Sequence, residues 1–425
     1  MRKIKLVSVL LAVLLTLGGI LYLYSSVKVG IEIPPSASLL AKKESIPLKV
    51  EVDPNLPLLK LEIFLIQGTH KVVLYSGKPQ NGLFNFEIDT AKAGLKDGKA
   101  QIVAKLLFPW GGEKTVYRKE VTIDGTPPSV DVVHQPHRLV VGEPGVLIVK
   151  SSEDTDQIFI SLGEAKFPLL KVGDNIYKTI FTAPLFLLQN PERFYIVAID
   201  KAGNVTRKFL PVAVKVKKFR KVKINLTDPI LERIVLKYFD DTENALQKFK
   251  VINEQFREED HKKLVEICRN SNGIFYPVGA FKQLPGSKPT AYFGDYRTYY
   301  YKGEVVSQSV HKGLDLAKYR HAPVVAANDG KVSFVGRLKI YGKVILIDHG
   351  FGIFTLYAHL NDFTVKEGDR VKKGDIIGYT DTTGLALGDH LHFGILAWGY
   401  ATNPLFFFDK KYLNYNLYPY IGSSD

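Results

Sequence analysis

The stretch Asp389-His390-Leu391-His392-Phe393-Gly394-Ile395-Leu396 decides how the C-terminal third of the chain is interpreted. Its alternation of histidine with apolar residues predicts a β-strand. On such a strand His390 and His392 point to one face, while Leu391 and Phe393 point into the packing behind it. Two imidazoles on one face can bind a single metal ion, or can provide one ligand beside a catalytic base.

A second stretch, His311-Lys-Gly-Leu-Asp315, supplies another imidazole and a carboxylate four residues later. We expect Gly313 to let the backbone turn between them, so that both side chains reach one point. Two histidines and one aspartate would form a three-ligand site with an open fourth position, which is the pattern of catalytic zinc. Imidazole and carboxylate suit zinc, whereas calcium prefers more oxygen ligands.

The distribution of histidine and cysteine agrees with such a site. Six of the ten histidines lie between residues 311 and 392. The single cysteine, Cys268, excludes an intrachain disulfide and zinc sites built from several cysteines.

The 425 residues leave room for about three domains. With 46% hydrophobic and 24% charged residues, the composition excludes wholesale disorder.

Further motifs accompany the two histidine stretches. In chain order they are Ala291–Arg297, His311–Ala317, Pro323–Val332, Ile347–Gly350, Thr355–Leu360, Val371–Gly378 and His390–Phe393. In this order, from about residue 276 to 404, the chain resembles the lysostaphin/LytM-type zinc endopeptidases, which cut peptide cross-links in bacterial peptidoglycan. The resemblance implies an antiparallel β peptidase domain over 276–410 with one zinc ion. It fails at Ala386-Leu-Gly-Asp389, where members usually have a Ser-Thr-Gly-Pro-like run, and this puts the cross-link specificity in doubt.

The resemblance also implies roles for five residues. Zinc would be bound by His311, Asp315 and His392, and His359 and His390 would be the catalytic pair. Zinc lowers the pKa of a bound water toward 7 and polarises the scissile carbonyl. One of the two catalytic histidines would act as general base and both would hydrogen-bond the oxyanion, but the sequence leaves open which is the base. Some members have lost ligands and only activate amidases, whereas all five positions are intact here.

The first 27 residues predict export. Arg2, Lys3 and Lys5 precede an uncharged run from Leu6 to Val27, which at about 1.5 Å per residue is long enough to cross a hydrocarbon core of about 30 Å. A cleaved signal peptide is the alternative, although its apolar core is normally only about 7–15 residues long. We therefore expect residues 1–27 to form a cytoplasmic tip and a single-pass anchor in the cell (inner) membrane, with the rest of the chain exported to the periplasm or cell-wall side.

Short β-type runs between glycine and proline turns predict two β-sandwich modules, over 28–124 and 129–216. The second resembles bacterial immunoglobulin-like (Ig-like) modules through its turn Asp200-Lys-Ala-Gly-Asn204. A short helical segment is predicted over 227–273, beginning at Thr227-Asp228-Pro229 with a capping side chain and a proline in the first turn. We expect this segment to cover the active-site groove and to restrain the exported enzyme.

The charge distribution narrows the choice of partners. The chain has a net charge of +14, of which residues 276–425 contribute only +4. In an exported chain this distribution favours the cell wall or lipid headgroups and excludes nucleic acid. The sequence therefore predicts a mainly β, membrane-anchored zinc metalloendopeptidase that hydrolyses peptide cross-links of peptidoglycan. The alternative is a non-hydrolytic cell-wall scaffold or an activator of other wall hydrolases.

Overall fold

The computed structural model of the chain describes residues 2–26, 29–32, 38–52, 60–78, 80–282 and 284–422. Strands dominate these residues, which confirms the predicted mainly β class. The chain divides into two compact units. The first comprises Met1–Pro128 and Ile199–Val205, and the second comprises Ser129–Ala198 and Thr206–Asp425.

A helix, α1 (Arg2–Ser26), occupies most of the predicted membrane anchor. Within the described residues, however, no helix combines the length and the apolar character needed to cross a membrane. The structure thus gives no support to the transmembrane helix predicted over residues 6–27, of which residue 27 lies outside the described residues.

The first unit consists of two sheets around one apolar core. Its strands are β1 (Val29–Glu32), β2 (Leu39–Leu40), β3 (Lys43–Val52), β4 (Lys60–Gln67), β5 (His70–Gly77), β6 (Gly82–Asp89), β7 (Gly98–Leu107) and β8 (Glu113–Ile123). One sheet has the order β1-β3-β6 and the other the order β2-β8-β7-β4-β5. Ile46 and Leu48 of the first sheet and Ile63 and Ile102 of the second are buried in the shared core, because alternate residues of a strand face the same side.

The second unit begins with two sheets of four strands each. The strands are β9 (Val130–His134), β10 (Arg138–Val140), β11 (Pro144–Ser151), β12 (Thr155–Leu162), β13 (Ala165–Pro168), β14 (Leu170–Gly173), β15 (Ile176–Thr182), β16 (Tyr195–Asp200), β17 (Val205–Phe209) and β18 (Ala213–Lys215). The sheet orders are β14-β15-β11-β9 and β13-β12-β16-β17, and β10 pairs with β18. Val149 and Ile160 of these sheets belong to one buried cluster with Ile353 and Ile395, so this region shares its core with the C-terminal sheet.

Short helices precede the C-terminal sheet. After β19 (Lys221–Leu226) come α2 (Asp228–Val235), α3 (Ala245–Lys250), a π-helical turn (Val251–Gln255), α4 (Phe256–Ile267) and a 3₁₀ turn (Cys268–Asn270). Ile234, Phe249 and the fully buried Cys268 pack in one cluster with Leu346 and Phe354 of the sheet. The helical segment is therefore joined to the sheet by a common apolar core.

A ten-stranded sheet forms the C-terminal region. Its strands are β20 (Lys288–Ala291), β23 (Leu314–Ala317), β24 (Pro323–Val325), β25 (Gly330–Leu338), β26 (Gly342–Asp348), β27 (Ile353–Phe363), β28 (Arg370–Val371), β29 (Ile376–Thr380), β30 (Leu391–Ala397) and β31 (Tyr400–Thr402). The main order is β20-β23-β30-β27-β26-β25-β28, with β29 paired to β24 and β27, and β31 to β30. Two strands outside this sheet, β21 (Tyr296–Tyr301) and β22 (Glu304–Val310), pair with each other, and β21 also pairs with β19. The chain closes with α5 (Leu405–Phe408), α6 (Lys410–Asn416) and α7 (Tyr418–Ile421).

Candidate metal centre and neighbouring histidines

Three strands of the C-terminal sheet bring the predicted site residues together. In the antiparallel pair β23–β30, Asp315 lies directly opposite His392. In the pair β27–β30, Ala358 lies opposite the same histidine, and His359 follows it on β27. His311 and His390 stand just before β23 and β30. The strand register thus gathers residues that are up to 81 positions apart.

His311, Asp315 and His392 converge on one point. The Nε2 atom of His311 lies 2.9 Å from Oδ1 of Asp315 and 3.0 Å from Nδ1 of His392. The same Nδ1 lies 2.9 Å from Asp315 Oδ1. All three side chains are buried. Two imidazole nitrogens and one carboxylate oxygen form the donor set of a zinc site that keeps a position open for substrate.

The partners of these atoms show that a cation fits between them. Nδ1 of His311 lies 2.9 Å from the carbonyl oxygen of Tyr292, so Nδ1 donates its proton there and Nε2 presents a lone pair to the cluster. A carboxylate oxygen can only accept, so Asp315 Oδ1 also directs electron density at the same point. Its other oxygen, Oδ2, accepts from Nη2 of Arg297 at 2.9 Å. Such outer contacts orient metal ligands, and the cluster fits a zinc ion.

The close approach of these residues depends on Gly313. A Cβ atom at this position would lie 2.5 Å from the carbonyl oxygen of Phe393 and 2.9 Å from Nε2 of His392. The chain bends at Gly313, as we expected, although this residue does not adopt a left-handed φ. The site needs glycine here for the space that a side chain would fill.

Two further histidines flank the three candidate ligands. The ring centres of His359 and His390 are 4.9 Å apart, and Nε2 of His390 lies 3.6 Å from Oδ1 of Asp315. The Nδ1 atom of His359 lies 2.7 Å from the carbonyl oxygen of Thr383, and that of His390 lies 2.8 Å from the carbonyl oxygen of Gly388. With Nδ1 donating in each ring, Nε2 is left available for proton transfer.

Burial and the carboxylate of Asp315 shift the pKa values of these histidines. Burial lowers the pKa of His392 to about 4, which keeps the neutral, metal-binding form present at neutral pH. Burial, with His390 adding to it, lowers the pKa of His359 well below its ordinary value. His390 differs, since burial is outweighed by the hydrogen bond and charge of Asp315, and its pKa is raised.

A cavity of about 310 Å³ adjoins the five residues. Its wall includes all of them, together with Leu385 and Leu387 from the loop before β30. It also includes Ile234, Phe249 and Arg257 from the helical segment. The segment that we expected to cover the groove therefore forms part of the cavity wall.

Other histidines near the sheet lie outside this cavity. His349 is fully buried, with Nδ1 2.7 Å from the carbonyl oxygen of Asp329 and Nε2 2.8 Å from Oγ1 of Thr355. Burial lowers the pKa of His349 to about 4. His321 is exposed on a loop, with Nδ1 3.2 Å from the carbonyl oxygen of Thr380. His349 therefore has an oxygen partner for each ring nitrogen, whereas His321 has a backbone partner for Nδ1 and lies near the carboxylates of Asp381 and Asp389.

Sequence reasoning missed two side chains that support the site. Arg297 stands in the motif Ala291–Arg297, and its place in that motif is the signal that could have marked it. Lys237 bonds the loop that precedes β30 from a position up to 149 residues earlier in the chain. No spacing rule connects two positions so far apart, so the sequence alone carried no signal for Lys237.

Comparison with known proteins shows that the part of the chain around the site matches a known family model. Residues 309–404, which contain all five site residues, match the family model described as peptidase family M23. The DD-carboxypeptidase/endopeptidase Mpg of Neisseria meningitidis serogroup B is 41% identical over 96 residues, which are 23% of this chain and 22% of that protein.

Two other relatives differ in what their names describe. The peptidoglycan DD-endopeptidase ShyB of Vibrio cholerae serotype O1 is 37% identical over 122 residues, 28% of this chain and 27% of ShyB. The murein hydrolase activator NlpD of Salmonella dublin is 34% identical over 143 residues, 33% of this chain and 35% of NlpD. The chain thus spans about a fifth to a third of the length of these curated relatives.

Proposed function

We propose that this chain, whose C-terminal region is a peptidase M23 (LytM-type) domain, is a zinc metalloendopeptidase that hydrolyses peptide cross-links of peptidoglycan. The observation that carries the proposal is the convergence of His311 Nε2, Asp315 Oδ1 and His392 Nδ1 to within 3.0 Å of one another, beside two further imidazoles. The names of the relatives Mpg and ShyB support the class of substrate.

The ligands and their supports would prepare the site before substrate arrives. His311, Asp315 and His392 would hold a zinc ion, which would supply Lewis acidity toward the scissile carbonyl and a nucleophile at neutral pH. The carbonyl oxygen of Tyr292 fixes the tautomer of His311. The guanidinium of Arg297 holds the Asp315 carboxylate in place. Ligands oriented in this way need little rearrangement during the reaction.

The flanking histidines would handle the protons. One of His359 and His390 accepts a proton from the attacking water through Nε2 and delivers it to the leaving amine nitrogen. The other, as an imidazolium with a proton on Nε2 as well as on Nδ1, donates a hydrogen bond from Nε2 to the oxyanion that forms on the scissile carbonyl. Both rings contact a backbone carbonyl through Nδ1, so this contact does not distinguish the general base from the oxyanion donor. Comparing the activity of a His359 variant with that of a His390 variant assigns the two roles.

The experiment is digestion of purified peptidoglycan by the full chain with and without a chelator. Mass spectrometry of the fragments is expected to show metal-dependent loss of peptide cross-links. The variant His321→Ala serves as the matched control, since this exposed histidine lies outside the cavity. Unchanged cross-links despite confirmed zinc occupancy would rule out hydrolysis by this chain.

An activating or scaffolding role is the second candidate, because the relative NlpD is named as an activator of murein hydrolases. The presence of all five site residues favours hydrolysis over this role. A deletion strain complemented with His311→Ala separates the two. Full complementation by this variant would favour the scaffold, and loss of complementation favours the enzyme.

Export to the wall side of the cell membrane, with the N-terminus in the cytoplasm, is also part of the proposal. Its support is the order of residues, with Arg2, Lys3 and Lys5 followed by the uncharged run Leu6–Val27. Cell fractionation with protease protection tests the location, and the mass of the mature protein distinguishes a retained N-terminus from a cleaved one. Recovery of the chain in the cytoplasm would contradict this part of the proposal.

A further inference from the structure

Lys237 contacts the loop between β29 and β30 from the helical segment. It stands in the turn directly after α2, and its Nζ lies 2.8 Å from the carbonyl oxygen of Thr382, 3.1 Å from that of Gly384 and 2.6 Å from that of Ala386. A lysine ammonium has three N–H donors and no acceptor, so these three hydrogen bonds use its full capacity. They fix three alternate carbonyl groups of one loop.

The same loop holds both flanking histidines. The carbonyl oxygen of Thr383, between two of the groups bound by Lys237, accepts from Nδ1 of His359 at 2.7 Å. The carbonyl oxygen of Gly388, at the end of the loop, accepts from Nδ1 of His390 at 2.8 Å. A shift of this loop would therefore turn both imidazoles, even though neither ring touches the lysine.

His359 depends on such support because of its backbone. Its φ is +62°, in the left-handed region that residues other than glycine rarely adopt. Its amide donates to the carbonyl oxygen of Tyr341 at 2.9 Å, and its carbonyl accepts from the amide of Asp381 at 2.8 Å. The surrounding structure must therefore hold this conformation, and the first residue of the loop takes part.

The loop is held from two sides. On one side the amide of Leu385 donates to the carbonyl oxygen of Ile340 at 2.8 Å. Close packing reinforces that contact, since a Cβ atom on Gly384 would lie 2.4 Å from the amide nitrogen of Gly342. On the other side stands Lys237, which belongs to the helical segment and not to the sheet. Its removal would take from the loop the three hydrogen bonds that it receives from this side.

We propose that Lys237 is a positioning residue that fixes the loop from Thr382 to Gly388, and through it the orientation of the His359 and His390 imidazoles. The kinetic consequence of this inference rests on the proposed function. The helical segment would then have two roles: its residues line the cavity, and its Lys237 orients the two flanking histidines.

The test uses the full chain with Lys237→Met, which removes the ammonium and keeps an unbranched stem. We expect kcat to fall by about tenfold to a hundredfold, as for misplaced catalytic groups, with little change in KM and with zinc content unchanged. Lys237→Arg, which keeps donors at the same place, is expected to restore part of the loss. Lys263→Met is the control, because this exposed lysine on α4 pairs with Glu266 at 3.0 Å.

A second readout does not depend on activity. Hydrogen exchange of the amides in residues 381–388 is expected to be faster in Lys237→Met than in the native chain or in Lys263→Met, while exchange in β27 and β30 stays the same. Unchanged loop exchange together with unchanged kcat would overturn the proposal. Loss of zinc, or faster exchange throughout the sheet, would overturn it in favour of a purely structural role.

The two proposals can fail separately. If the native chain cleaves no cross-links, the proposed function fails, and the exchange experiment alone decides whether Lys237 orders the loop. If Lys237→Met does not fold, Lys237→Gln, whose shorter neutral side chain offers two N–H donors instead of three, decides the question. In that folded variant a reduced kcat at unchanged KM supports positioning, and native kcat with native loop exchange rejects it.

Discussion

The histidines of the C-terminal sheet differ in the atoms that their ring nitrogens contact. His311 and His392 present nitrogens to the carboxylate of Asp315, whereas His359 presents Nδ1 to a backbone carbonyl and stands beside the cluster. His349, on the same sheet, has both ring nitrogens satisfied by oxygen atoms and is fully buried. The residues alone show six histidines in one region, and the family resemblance implies roles for four of them. The contacts of each ring add the physical reason why His311 and His392 are the candidate ligands and His349 is not.

The first prediction separates ligands from catalytic groups. His392→Ala is expected to lose both zinc and activity, because it removes one of three donors. His390→Ala is expected to keep its zinc and to lose activity by about a hundredfold or more, which is typical of removing a general acid or base. Atomic absorption on the purified variants, beside their cleavage rates, makes the comparison. Loss of zinc from His390→Ala would show that this residue is a ligand.

The second prediction concerns stability and pH. The pKa of His349 is about 4 in the folded chain and about 6.5 when exposed, so the unfolded chain binds more protons between these values. The neutral ring therefore contributes stability above pH 6.5 that is lost as the pH falls toward 4, by about 3 kcal/mol. His349→Gln, which cannot take up a proton, should lose less stability over that range. Denaturant unfolding at several pH values measures this, and equal pH dependence in both proteins would contradict it.

At the scale of elements, local patterns predicted the strands and the start of the helical segment. The histidine-leucine alternation predicted β30, which begins at Leu391 and is buried along its length. Thr227-Asp228-Pro229 predicted a helix start, and α2 begins at Asp228 with the proline in its first turn. The predicted capping side chain was wrong, because Thr227 makes no side-chain hydrogen bond to the helix. What could not be predicted were contacts between distant elements, such as Lys237 with its loop. Asp260 is another example, since a charged residue on a helix suggests exposure, yet it is buried.

The third prediction tests how the helical segment is joined to the sheet. The carboxylate of Asp260 accepts from the amides of Lys339 and Ile340 at 2.8 and 2.7 Å. Asp260→Ala leaves two amides without these partners and is expected to reduce the free energy of unfolding by about 2–4 kcal/mol. Glu259→Ala is the matched control, because this exposed neighbour forms only a surface ion pair with Lys339, worth about 1 kcal/mol or less. Equal effects in denaturant unfolding would contradict a specific role for Asp260.

At the scale of the whole molecule, we expect the helical segment to have two opposite effects on activity. Residues of the segment line the cavity, and hindrance of substrate by the segment stays a prediction from the sequence. Through its shared core and through Lys237 it supports the site. None of the five candidate site residues lies in the first unit.

The fourth prediction compares truncated chains. A chain of residues 129–422 keeps the second unit nearly whole and is expected to be at least as active as the full chain. A chain of residues 276–422 lacks Lys237 and exposes the apolar surface beneath the helices, so we expect it to be less stable and less active. Specific activity and the unfolding midpoint of the three proteins decide this. Higher activity in the shortest chain would mean that covering the groove is the main effect of the segment.

The measurement that tests the central claim most directly is digestion of peptidoglycan in oxygen-18-labelled water by the zinc-loaded full chain. His359→Ala, expected to keep its zinc, is the matched control. If the site performs metal-dependent peptide hydrolysis, the native chain converts cross-linked fragments into products whose new carboxyl group carries one labelled oxygen. A chelator stops the reaction, and added zinc restores it. Cross-links that persist equally with the zinc-loaded native chain and with His359→Ala would contradict the account.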